Sequence, residues 1–156
     1  DSYGVTLQHM KLHGAFYNTA CVTPALADSV LDGLQAVNPN IAAMVLSGSY
    51  IAKEAQRRGI PVIQEVFADR GYTDEGTLVP RTEPGAFIKD PQEALERVLM
   101  MVTEGKVVTN TGNTIDIVAD SVCVHGDNPE AIAFTNYIRE GLTKAGVTVA
   151  NFQNRK

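Results

Sequence analysis

Four short polar clusters carry the side chains able to do chemistry: Lys11-Leu12-His13-Gly14 with Tyr17 and Asn18 close behind, Ser47-Gly48-Ser49, Glu65 to Arg70 followed by Tyr72, and Val124-His125-Gly126-Asp127. Lys11 and His13 are two apart, so in a strand they point to one side, and Gly14 lets the chain turn closely past a ligand. Together they suit recognition of an anion or a carbonyl. His125 and Asp127 have a spacing usable for acid–base work or for one arm of a metal site. Glu65 sits in an otherwise apolar run, where an unpaired carboxylate costs several kcal/mol. It needs a partner, and Lys11 and His13 are candidates. Arg81 offers a planar guanidinium suited to a carboxylate.

Each of these residues also has a plainer reading. Lys11 can extend to solvent and His13 can bond a loop carbonyl. Glu65 and the Asp69-Arg70 pair fit structural ion pairs, and Arg81 fits a solvated surface. Asp127 can join Asn128 in capping a helix. His125 has no comparable capping role.

The elements that must position these clusters alternate. Val5 to Lys11 reads as a strand with period two, and Pro24 at the first turn of a helix leads Leu26, Val30, Leu31, Leu34 and Val37 at helical spacing up to Asn38-Pro39. Ile41 to Leu46 is a short apolar run of the kind buried in a parallel sheet. Ser49 caps a helix to about Arg58 with Gly59 as its stop, and Pro61 to Phe67 is a further strand. Asp90-Pro91 opens a helix with Ala94, Leu95, Val98, Leu99 and Val102 on one face, ending near Gly105; Met100 and Met101 fill core. Lys106 to Ala119 alternates around Asn110-Thr111-Gly112-Asn113 as a hairpin, and Ser121 to Val124 is a short strand. Asn128-Pro129 starts a last helix to Gly146, with Val147 to Val149 as a final strand. The stretch from Asp69 to Lys89 has little regular pattern, as lids and disordered loops do.

Strands alternating with helices imply right-handed βαβ units and a mainly parallel α/β sheet, whose strand C-terminal edge carries the active site. The polar clusters follow the strands, as that rule requires. Five strand candidates are too few for a closed barrel. The 156 residues, 44% hydrophobic, suit one domain or part of one. The start at Asp1, leading straight into a strand, suggests a chain that begins inside a larger protein.

A net charge of −5, from 13 Lys and Arg against 18 Asp and Glu, with no basic patch interleaved with aromatics, argues against nucleic acid. No apolar run approaches the ~20 residues that cross a bilayer, and no export signal is evident. Cys21 and Cys123 lack metal or redox spacing, so a reduced, cytoplasmic chain is expected, a single long-range disulfide being the alternative. Walker-type, His-Glu-x-x-His, nucleophile-elbow and Rossmann motifs are absent.

The run Lys11-Leu12-His13-Gly14-Ala15-Phe16-Tyr17-Asn18 resembles the Lys-Pro-His-Gly-Ala-Leu-Tyr-Asn signature of the LamB/YcsF family, the 5-oxoprolinase A subunits, with Leu12 in place of the usual Pro. Glu65-Val66-Phe67-Ala68-Asp69-Arg70-Gly71-Tyr72, Gly76-Thr77-Leu78-Val79-Pro80-Arg81 and Cys123-Val124-His125-Gly126-Asp127 are similar to its later blocks, in order. The family's N-terminal third, with its Asp-Leu-Asn, Gly-Phe-His and Ala-His-Pro motifs, has no counterpart.

The resemblance implies the C-terminal part of a seven-stranded, deacetylase-like (TIM-like) α/β barrel. It further implies ATP-dependent opening of 5-oxo-L-proline to L-glutamate with separate B and C subunits, ATP being a co-substrate. On this reading Arg81 or Lys11 receives the substrate carboxylate, and His13, Glu65, Asp69 and His125 move protons and polarise the lactam for attack by water. Tyr17, Asn18, Arg70, Tyr72 and Asp127 join Arg81 in contacting substrate. Metal dependence stays open, as does a homo-oligomer. Two other readings remain: a metal-dependent deacetylase-like hydrolase of an amide or carbohydrate, and a non-catalytic binding or assembly subunit.

Overall fold

The computed structural model describes residues 4, 7–125 and 131–152. The chain forms two compact units, Asp1–Gln64 and Glu65–Lys156. The first holds β1 (His9–Lys11), α1 (Gly14–Val22), α2 (Pro24–Val37), β2 (Ala42–Leu46), α3 (Tyr50–Arg57) and the start of β3 (Val62–Phe67), which runs on into the second.

In the first unit β1 and β2 pair in parallel with Lys11 opposite Met44, and the Ala43 N–H donates to the Pro61 carbonyl at 2.8 Å. The run Ala42 to Leu46 is buried except at Met44, which explains its unbroken apolar character. Ser49 caps α3 by accepting from the Ala52 N–H, and Gly59 at φ +72° ends it. There the Gly59 and Ile60 N–H groups donate to the Gln56 and Ala55 carbonyls, closing the orphaned end in a Schellman motif. Helix α2 follows its expected bounds, burying Ala27, Leu31 and Leu34. Helix α1 has no counterpart among the expected elements: only Tyr17, Ala20 and Cys21 are buried, while Phe16 and Val22 stay exposed. Val5 and Thr6, part of the expected first strand, lie outside the described residues.

Five charges tie α3 to α2. Glu54 accepts from Arg57 and Arg58, and Arg58 donates onward to Asp28 and Asp32 at 2.7 and 2.6 Å. The hydrogen bonds from Arg57 and then Arg58 hold the Glu54 carboxyl down at about 2.

In the second unit the end of β3 pairs in parallel with β6 (Ser121–Cys123), setting Glu65 opposite Ser121 and Phe67 opposite Cys123. Between them come α4 (Pro91–Thr103) and the antiparallel hairpin β4 (Lys106–Val108) and β5 (Thr114–Asp116), and α5 (Ala131–Lys144) follows. Asp90 caps α4 through the Glu93 N–H at 2.8 Å. The core is Ala68, Ala94, Val98, Ile138 and Leu142, and Met101 is buried as expected. Gly141 brings α5 close to α4, since a Cβ there would run into the Leu95 side chain. The expected cap at Asn128-Pro129 lies outside the described residues.

Two expectations are corrected. Val147 to Val149 is not a strand. Gly146 at φ +81° and Val147 instead finish α5, donating to the Thr143 and Leu142 carbonyls in a second Schellman motif, with Val147 packed on the core. The Asp69 to Lys89 stretch is neither a free lid nor disordered: Gly71 N–H donates to Ala86, Val79 N–H to Gly71 and Ile88 N–H to Asp69. Asp74 clasps the β4–β5 turn, accepting from Thr109, Thr111 and Asn113. Both cysteines are free thiols. Among the described residues no helix is long and apolar enough to cross a membrane.

A Cβ at Gly71 would overlap the Gly85 carbonyl oxygen, which is backbone and cannot swing aside. Gly71→Ala should therefore destabilise the protein by on the order of 1–3 kcal/mol, as overpacked sites do, measured by urea unfolding. A wild-type midpoint in the variant would contradict the close approach. Glu54 gives a pH signature: its folded value lies below the ordinary 4.5, so its contribution is full above about 4.5 and fades as the pH falls toward about 2. Thermal melts should show the wild-type advantage over Glu54→Gln shrinking across that window; a constant difference would refute the ion cluster.

Candidate active site

The register of β3 against β6 builds the site. Phe67 and Cys123 are partners, the Ala68 N–H donates to the Cys123 carbonyl, and two residues past each partner stand Asp69 and His125. The His125 Nδ1 lies 2.7 Å from Asp69 Oδ2, which also accepts from the His125 backbone N–H at 3.3 Å. A carboxylate has no proton to donate, so Nδ1 carries the hydrogen, and in the neutral ring Nε2 is the nitrogen with the lone pair. The His125 ring stacks on Phe67, centroids 5.7 Å apart and planes 23° off parallel. Asp69 Oδ1 is buried without a hydrogen bond among the described residues.

Asp69 and His125 open onto a pocket of about 770 Å³. Phe87, Ile88 and Lys89 come to its wall from the pinned loop, Asp90 to Gln92 from the start of α4, and Ala131, Ala133, Phe134 and Tyr137 from α5.

Arg70 and Tyr72, expected to contact substrate, are instead spent on backbone. Arg70 is 3% exposed; its Nε donates to the Ala86 carbonyl and its Nη2 to the Val79 carbonyl, at 2.9 and 2.7 Å. Burial, then the nearby Arg81 charge, push its pKa down, and Asp69 opposes them. Tyr72 is fully buried, its hydroxyl oxygen accepting from the Phe67 N–H at 2.9 Å, and burial raises its pKa so that it stays a neutral phenol. Arg81 is exposed and lies over the Phe87 ring at 5.6 Å without lining the pocket. Glu65 is 2% exposed beside Ser121. Asp127 lies outside the described residues.

In the first unit the Lys11 Nζ sits 5.7 Å above the buried Tyr17 ring, while His13, at the start of α1 and making no side-chain cap, and Asn18 are exposed. The Ser47-Gly48-Ser49 cluster is structural: Ser47 Oγ and the Gly48 N–H donate to Gln64 Oε1, and Ser49 caps α3.

Sequence reasoning missed Phe67 beneath the histidine, and Phe87, Lys89, Phe134 and Tyr137 on the pocket wall. Lys89 was the most accessible of these, since it directly precedes the Asp90 cap of a helix whose N-terminus faces the strands' C-terminal edge in parallel α/β folds. Among the described residues no group of three His, Cys, Asp or Glu could hold a metal ion.

Comparison with known proteins agrees with this architecture. The A subunit of 5-oxoprolinase from Fusobacterium nucleatum is 58% identical over 143 residues, 92% of this chain and 56% of that protein. Its counterpart from Pyrococcus horikoshii is 44% identical over 146 residues, 94% of this chain and 57% of its own length. The crystal structure of a lactam utilization protein from Thermus thermophilus matches with a TM-score of 0.87 at 38% identity, covering 97% of this chain and 60% of that one. The chain thus spans somewhat over half the length of these relatives. The LamB/YcsF family model matches residues 1–156, and the chain belongs to that family.

Proposed function

We propose that this chain contributes a carboxylate-oriented histidine base to the opening of a lactam, within the A component of an ATP-dependent 5-oxoprolinase working with B and C subunits. The observation that carries the reading is the 2.7 Å contact between Asp69 Oδ2 and His125 Nδ1 at the edge of a pocket. The names of relatives up to 58% identical and of the lactam utilization protein support the substrate class.

On this reading His125 Nε2 takes a proton from water as its oxygen bonds to the lactam carbonyl carbon. Asp69 stabilises the imidazolium that forms. The ring C–N bond then breaks, the departing nitrogen takes the proton held by His125, and the carbonyl carbon, still part of the same skeleton, becomes the new carboxylate of L-glutamate. Amide resonance opposes attack by water, so ATP serves as a co-substrate that activates the carbonyl through the partner subunits and ends as ADP and phosphate, a second water accounting for the phosphate. Lys11, His13, Tyr17, Asn18, Glu65, Arg81 and Asp127 remain further candidates for binding and proton transfer. Arg70 and Tyr72 act as positioning residues, for the loop and for Phe67. The remaining length of the relatives would complete a seven-stranded, deacetylase-like TIM-like barrel, and the cytoplasm is its expected location.

The test is glutamate release from 5-oxo-L-proline and ATP by the full-length protein with its B and C partners. His125→Gln should lower kcat by roughly 10²–10⁴-fold, the usual contribution of a general base, with little change in KM. Glutamate formation at the wild-type rate in that variant would remove His125 from the mechanism.

A further inference from the structure

The pocket beside the dyad holds a single cationic side chain among its described lining residues, Lys89, and Lys89 makes no hydrogen bond or ion pair among the described residues. The two carboxylates among its described lining residues are otherwise engaged: Asp69 Oδ2 with His125, and Asp90 with the Glu93 N–H at the start of α4. Among the described lining residues the ammonium of Lys89 is therefore the charge left for a ligand.

Its position is fixed by the same residue that orients the base. The Ile88 N–H donates to the Asp69 carbonyl at 3.0 Å, and on its other side Lys89 adjoins the Asp90 cap. Phe87, Ile88, Ala131, Phe134 and Tyr137 supply apolar wall to the same pocket. Such a pocket suits a compact molecule with an apolar ring, a carbonyl for the dyad and an anionic group for Lys89. Arg81, expected to receive a carboxylate, does not line it; its charge lies over Phe87.

We infer that Lys89 is the specificity residue of this pocket, selecting lactams that carry a carboxylate by pairing its ammonium with that group. The inference rests on the lactam reading above and adds to it the residue that distinguishes 5-oxo-L-proline from uncharged lactams. A charge-assisted hydrogen bond of this kind corresponds to a preference of about tenfold or more.

Calorimetric titration of the full-length protein with 5-oxo-L-proline, its primary amide and 2-pyrrolidinone reads that preference directly. The wild type should bind the acid about tenfold or more tightly than the amide. Lys89→Met should bind acid and amide alike, with its affinity for 2-pyrrolidinone unchanged, and Lys89→Arg should keep the preference. Lys89 is exposed, so the variants should fold, which circular dichroism checks. If Lys89→Met retains the wild-type preference, or the wild type shows none, the specificity role is overturned while lactam binding stands. If the wild type binds none of the three, the lactam reading itself falls, and this inference with it.

Discussion

Two N–H groups of one buried guanidinium hold the loop on which the candidate site depends. Arg70 donates to the Ala86 and Val79 carbonyls and lies 5.2 Å from the Phe87 ring. A cation so enclosed is tolerated only where the backbone offers acceptors, and once placed it fixes those acceptors in turn. The two carbonyls belong to the middle and the far part of a stretch that would otherwise close on itself only at an entropic cost. With them fixed, Gly71 can lie against Gly85, and the segment from Ala86 to Ile88 runs beside Asp69 to Gly71. Irregular backbone thereby becomes a rigid wall, as a binding site built on a loop requires.

The dyad depends on a different constraint, the parallel pairing of β3 with β6. Side chains in paired strands alternate between faces, so a slip of one residue would move Asp69 and His125 apart. The apolar residues around the pair pin the register: Val66 and Phe67 are buried, and Val122 and Val124 pack against the core. Core packing thus selects the one alignment in which residues 56 apart in sequence meet at 2.7 Å.

Local signals in the sequence reach most of the elements and few of the contacts. Ser49, Asp90, Gly59 and the Asn110 to Asn113 turn each act within a few residues, so caps, stops and the hairpin are readable. Helix α1 is hidden because its buried positions, Tyr17, Ala20 and Cys21, are interleaved with exposed Phe16 and Val22, and no side chain caps its start. Val147 to Val149 has strand composition, yet Val147 serves a helix terminus. At the site, Asp69 and His125 are candidates by type, but their partnership is not legible: sequence proximity sets His125 beside Asp127 instead. Arg70 and Tyr72 look like ligand contacts because polar residues after a strand often are. Only burial and hydrogen-bond partners show them bonded to backbone.

Asp69 is the point at which the two constraints meet. Its side chain takes its direction from the β3–β6 register and sets the tautomer of His125, while its carbonyl accepts from Ile88 and so places Lys89. A residue that bonds through both side chain and backbone couples the base to the pocket wall: displacing the loop moves the Asp69 main chain, and with it the imidazole. Changes inside the loop should for this reason perturb base orientation and pocket shape together. A change confined to the Lys89 side chain alters the pocket's charge and leaves both frames in place, because no described residue bonds to that side chain. On the proposed reading the arrangement separates ligand recognition from water activation, though both hang on one carboxylate residue.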